Sequence, residues 1–249
     1  MAERGAAANP PTPTTVIDAP APVSLPVVGV ADRFPVHRVF CVGRNYAEHA
    51  IEMGHDPERE PPFFFEKSPS CIVQPGDDFV YPPRTADVHH EIELVVAIGR
   101  GGAPISADVA LEHVYGYAVG LDMTRRDLQS AAKAAGRPWA VGKSFDGAAP
   151  MSAVVPADHS GHRTSGAIAL DVNGRSRQRG DLDQMIWSPA EIVAELSSYV
   201  RLVPGDLIMT GTPAGVGPVA PGDRLRGWID GVAQLEAVIT ASTNSGDSY

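Results

Sequence analysis

Short apolar and β-branched runs, cut apart by proline and glycine turns, restrict this chain more than any other feature. Residues 38–43, 92–98, 167–172, 206–210 and 233–239 each have the length and composition of a strand. Asn173-Gly174 is a two-residue hairpin signal, and Pro204-Gly205-Asp206 and Pro221-Gly222-Asp223 place a turn before a strand. Helical patterns are fewer: residues 46–53, 106–113, 126–135 and 189–199, the last with Ser188 as N-cap and Pro189 in the first turn. The pattern predicts a mixed α/β, strand-rich chain with few helices.

Residues 1–22 are rich in Ala, Pro and Thr and offer little to bury, and residues 240–249 are small and polar. Between them, residues 23–239 contain no repeat and no linker-like interior stretch, so a single domain flanked by an arm and a tail is expected. With 43% hydrophobic and 20% charged residues, global disorder is excluded. The formal charge of -10 gives nucleic acid or an anionic membrane surface no basic footprint to bind. Cys41 and Cys71 are too few for a disulfide scaffold, no run approaches the ~18 apolar residues of a membrane span, and the first residues lack the pattern of an export signal. A cytoplasmic protein with a small-molecule partner is the expectation.

The chemistry concentrates in His89-His90-Glu91-Ile92-Glu93-Leu94. Side chains two apart on a strand share a face, so Glu91 and Glu93 lie side by side, and a cation is the usual relief of their repulsion. A solvated strand face has the same spacing. Asp122, at the end of the apolar run 114–121, adds an acid where an unpaired charge is costly. Three hard oxygen donors without a cysteine favour one divalent cation, Mg²⁺ or Mn²⁺. On a helix from Tyr46, His49 and Glu52 are neighbours at i and i+3, a general base with an orienting carboxylate or simply a polar surface pair. Lys143 interrupts an apolar stretch, either as a cation for an anionic ligand or as a snorkelling side chain. Gly211-Thr212-Pro213-Ala214-Gly215-Val216-Gly217 lacks the Lys-Ser/Thr of a phosphate loop.

Five blocks together resemble the fumarylacetoacetate hydrolase family in order and spacing: Cys41-Val42-Gly43-Arg44-Asn45-Tyr46, His89-His90-Glu91-Ile92-Glu93, Leu121-Asp122-Met123-Thr124-Arg125-Arg126-Asp127, Gly142-Lys143-Ser144-Phe145 and 210–217. The resemblance covers about residues 23 to 239 and implies a β-sandwich roll with peripheral helices, forming a homodimer. It implies metal ligands at Glu91, Glu93 and Asp122, a His49–Glu52 dyad, an active-site Lys143, and substrate contacts from Arg126, Gln129 and Thr212. Residues 34–57 with Pro61-Pro62-Phe63-Phe64-Phe65 resemble the bacterial members that act on fumarylpyruvate in gentisate breakdown. Two departures stand out: the Ala/Pro-rich arm, and Glu66 before Lys67, an acid expected to alter the pocket for the distal carboxylate.

The activity so implied is hydrolysis of a carbon–carbon bond in a 2,4-dioxo acid, fumarylpyruvate giving fumarate and pyruvate. Decarboxylation of oxaloacetate or another β-keto acid needs the same cation but no attacking water. A non-catalytic, metal-dependent carboxylate-binding protein requires a lesion at one of these positions, and the sequence has none.

Overall fold

The computed structural model describes residues 15–47 and 60–242, so most of the expected helix 46–53 lies outside the described residues. The strands that build the site are β1 (Arg38–Gly43), β2 (Phe63–Lys67), β3 (Val88–His90), β4 (Ile92–Ile98) and β5 (Val114–Leu121). A hairpin, β6 (Ala167–Val172) and β7 (Arg175–Asp181), precedes β8 (Asp206–Met209), β9 (Gly217–Val219), β10 (Arg224–Ile229) and β11 (Ala233–Thr240). Asn173 and Gly174 both have positive φ, the backbone that the Asn-Gly hairpin signal calls for.

Two sheets face each other. One has six strands in the order Val155–Pro156, β5, β4, β8, β1, β2, and the other has five in the order β7, β6, β10, β11, Phe79–Val80. Every residue of β4 is buried, because this strand lies inside its sheet and is covered on both faces. The sheets meet where β4 and β5 contact β6, β10 and β11. The approach is close enough that a Cβ on Gly227 would stand 2.7 Å from Ile92 Cδ1. The result is the expected β-rich sandwich with helices outside it.

Among the described residues the helices are α1 (Arg126–Ala134), the single turn α2 (Ala140–Lys143), a further single turn at Ala157–Ser160, and α3 (Pro189–Tyr199). Ser188 caps α3 through a reciprocal capping box with Glu191. No helix among the described residues is long and apolar enough to cross a membrane. The expected helix at 106–113 is instead a run of turns ending in a 3₁₀ turn, Ala110–His113, built from bonds of Val109 to Ser106 and Glu112 to Val109. This segment joins two adjacent antiparallel strands and is tied across its base, where the amides of Gly99 and Arg100 both donate to the His113 carbonyl. That closure, and a start at Val109 without a side-chain cap, leave no length for an α-helix.

Candidate active site

Glu91 sits in the break between β3 and β4, Glu93 in the first turn of pleat of β4, and Asp122 just past the end of β5. Because β4 and β5 pair antiparallel with Ile92 opposite Leu121, the end of one strand lies beside the start of the other. The backbone holds this junction, with Asp122 N–H donating to the Glu91 carbonyl at 2.8 Å. The three acids are buried and each offers an oxygen within 4.8 Å of the others. Glu93 accepts from the Gly211 amide at 2.8 Å. Burial, and then the charges of Asp122 and Glu91, push the Glu93 carboxyl well above the usual carboxylate range.

Three cations answer these acids. Lys143 is buried and donates to Glu91 Oε2 at 2.8 Å and to Asp122 Oδ2 at 2.7 Å. Burial works to lower its pKa, but the charges of Asp122 and Glu91 outweigh it and hold the ammonium above its ordinary value. Lys143 is therefore inside the acid cluster and does not snorkel. Arg126, at the start of α1, donates to Glu91 Oε1 and, at 2.7 Å, to Gln129 Oε1 one helical turn on. Lys67 is the third, 2.7 Å from Asp122 Oδ1 and donating to the carbonyls of Met123 and Lys143. The Lys67–Asp122 contact is a charge contact without hydrogen-bond alignment, so Asp122 Oδ1 is buried with no donor of its own. A buried oxygen open to a further partner, in a cluster of hard carboxylate donors, fits a divalent cation.

Lys67 belongs to the site although no local sequence pattern singles it out. Strand alternation on β2 turns Lys67 inward and leaves Glu66 exposed, outside the cavity. The expected influence of Glu66 on the distal pocket is thus corrected.

The acids form the base of a cavity of about 490 Å³. Arg126, Gln129, Lys143 and Thr212 line it, together with Phe63, Phe65 and Trp139. Trp139 meets Phe63 edge-on at 5.3 Å, and the Lys143 ammonium lies 5.2 Å from the Phe65 ring centre. Gly43 makes this wall possible, since a Cβ there would overlap the Phe63 ring at 2.0 Å. His49 and Glu52 lie outside the described residues.

Two amides, neither of them assigned a role from sequence, join the blocks. Asn45 donates to the carbonyls of Thr210 and Trp187 and accepts from the Trp187 amide, tying β1 to the loop that follows β8. That loop runs through Gly211 at φ 94, where a Cβ would stand 2.8 Å from Asn45 Cβ, so only glycine brings this amide to Glu93. Gln178, on β7, accepts from His90 Nδ1–H at 2.9 Å and the Ile92 amide at 3.1 Å, and donates at 2.8 Å to both Thr212 Oγ1 and the Pro213 carbonyl. It is the one fully buried residue of an otherwise polar strand, and it brackets Glu91 on one side and Thr212 on the other.

Residues 38–240 match the family profile described as "Fumarylacetoacetate (FAA) hydrolase C-terminal". The chain belongs to the fumarylacetoacetate hydrolase family. Among family members it is 48% identical over 184 residues to a fumarylpyruvate hydrolase of Ralstonia sp, covering 74% of this chain and 95% of that one. The crystal structure of fumarylpyruvate hydrolase from Pseudomonas aeruginosa in complex with Mn²⁺ and pyruvate superposes with a TM-score of 0.90 at 52% identity, covering 92% of this chain and all 100% of the other. At 40% identity over 204 residues, 82% of this chain and 92% of the relative, the chain is also similar to a mitochondrial oxaloacetate tautomerase of Mus musculus. The family's fold and the strand-rich sandwich found here agree.

Proposed function

We propose that this chain is a metal-dependent hydrolase of 2,4-dioxo acids that cleaves fumarylpyruvate to fumarate and pyruvate. The observation that carries the reading is the buried Glu91–Glu93–Asp122 cluster, interlocked with Lys143 and Arg126 at the base of an aromatic-walled cavity. A bound Mg²⁺ or Mn²⁺, held by these three carboxylates, supplies Lewis acidity to the oxo-acid end of the substrate.

The chain's own residues do the rest. Arg126, fixed by Glu91 and Gln129, orients the substrate's carboxylate, and Thr212 adds a hydroxyl whose oxygen already accepts from Gln178, leaving its proton for the ligand. Lys143 donates to the oxyanion that develops at C4. His49, oriented by Glu52, takes a proton from the attacking water, a step in which base assistance contributes about 10²- to 10⁴-fold. The water oxygen bonds to C4, the C3–C4 bond breaks with its electron pair on C3, and a proton at C3 completes pyruvate. The family resemblance supports a place in gentisate breakdown, a homodimer and a cytoplasmic setting, with residues 23–239 as the catalytic unit.

A second reading keeps the carboxylates and changes the reaction to loss of CO₂ from oxaloacetate without an attacking water, the activity that names a mitochondrial oxaloacetate decarboxylase of Dictyostelium discoideum, 40% identical over 195 residues. Following ultraviolet absorbance of fumarylpyruvate, acetylpyruvate and oxaloacetate with Mn²⁺-loaded protein separates them. Fumarate and pyruvate formed faster than the other substrates react support the hydrolase, whereas preferential CO₂ release from oxaloacetate overturns it. His49→Ala should depress diketo-acid hydrolysis and spare decarboxylation.

A further inference from the structure

Helix α1 presents a single face to the cavity. Arg126, Gln129, Ser130, Lys133 and Ala134 line it at i, i+3, i+4, i+7 and i+8. Arg126 is anchored among the acids at the base, while Lys133 lies two turns further on and is exposed. Seven residues of helix span about 10 Å, which sets the scale of the separation between the two cationic groups.

A second cation, Arg44, lines the same cavity from the end of β1 and is half-buried. Its backbone has φ 59, a left-handed conformation unusual for a residue with a side chain, and its guanidinium stands 5.6 Å from the centre of the Phe63 ring that packs on Gly43. Arg44, Lys133 and Arg126 are close enough to act on one another: burial, and then the positive charges of Arg44 and Arg126, hold the Lys133 ammonium below its ordinary pKa. Like charges gathered along one wall of a concave site match an anion. Between them and the base, Phe63, Phe65 and Trp139 offer flat apolar surface.

We propose that Arg44 and Lys133 form a second anion-binding position, which reads the far carboxylate of a planar, unsaturated diacid whose oxo-acid end is held at the base. This deepens the hydrolase reading above and rests on it for the orientation of the ligand. The dimensions agree: the terminal carbons of an extended seven-carbon diacid lie roughly 7 Å apart, within the stretch of cavity between Arg126 and Lys133. An acyl group ending in a methyl leaves this position unused.

The test compares ligands that differ only at the far end, in the wild-type protein and in Lys133→Gln and Arg44→Gln. Lys133 is exposed on a helix, so its glutamine variant keeps the fold. With fumarylpyruvate, each variant should raise KM by about tenfold while kcat stays within about twofold, as expected for an interaction made equally in the ground and transition states. With acetylpyruvate, both constants should be unchanged. An equal effect on the two substrates, or none on either, overturns the assignment.

Calorimetry on the Mn²⁺-loaded protein gives a reading independent of turnover. The wild type should bind 2-oxoheptanedioate at least about tenfold more tightly than 2-oxoheptanoate, and both variants should lose that preference. A wild type with no preference for the diacid overturns the second anion position whatever the turnover. A preserved preference in a protein that cleaves neither diketo acid supports the position and overturns the hydrolase reading instead.

Discussion

Glu91 accepts from two cations and is one of three metal-binding candidates, so replacing its charge touches the whole base of the cavity. Glu91→Gln should lower turnover by about a thousandfold or more while far-ultraviolet circular dichroism stays that of the parent, because Lys143 keeps Asp122 as a partner. A variant with near-normal rates would rule out the ligand assignment. Gln178 poses the opposite case, a residue whose role is to hold others. Gln178→Leu strips partners from His90, Ile92, Thr212 and Pro213 at once, and urea unfolding should show a loss of about 3 kcal/mol or more. A loss below about 1 kcal/mol would mean that water replaces these bonds, contrary to the burial of the site.

Helix α1 carries substrate contacts on one face and is docked by its first turn. Asp127 accepts from Thr85 Oγ1 at 2.7 Å, from the Leu128 amide at 2.8 Å and from the Ala86 amide at 3.2 Å. Slight burial works to raise its pKa, but these hydrogen bonds outweigh it and hold the carboxyl below the usual range. A carboxyl whose pKa falls on folding stabilises the native state above its unfolded value of about 3.9, and that contribution is lost as pH drops through the folded value. Asp127→Asn should therefore cost about 0.5 kcal/mol at pH 7, a figure reduced for solvent screening, and the gap from wild type should be smaller at about pH 3, below the unfolded value. Urea titrations at the two pH values check this, and a gap independent of pH would assign the effect to lost hydrogen-bond geometry alone.

Across the whole molecule, a formal charge of -10 contrasts with a cavity lined by Arg44, Arg126, Lys133 and Lys143, with Lys67 buried against Asp122. An anionic ligand thus meets a locally positive site in an acidic protein. Glu91 and Asp122 are already paired with Arg126, Lys143 and Lys67, so the fold does not depend on a metal to neutralise them. Treatment with a chelator should abolish activity and leave a cooperative thermal transition. Mn²⁺ at about a hundred times its Kd should then raise Tm by about 5–10 °C, from ~2.7 kcal/mol of linkage acting on a chain of this length. Loss of the native transition on chelation would instead make the cation a structural staple.

Sequence alone determined five of the strands, the Asn173-Gly174 hairpin, the capped helix 189–199 and the Glu91–Glu93 pair, while the β4–β5 pairing brought Asp122 to it. Each is written in local periodicity, turn chemistry or adjacent residues, and those survive without knowledge of partners. The helix expected at 106–113 failed because its ends are pinned to neighbouring strands, a constraint that no local pattern contains. Tertiary structure alone decided that Lys67 and not Glu66 enters the site, that Gln178 joins His90 across 88 residues, and that the Gly211 amide reaches Glu93 across 118. Strand pairing and register set those meetings. A one-residue slip on β2 would exchange Lys67 for Glu66, and the polar run 175–181 gives no local sign of which residue the opposing sheet will bury.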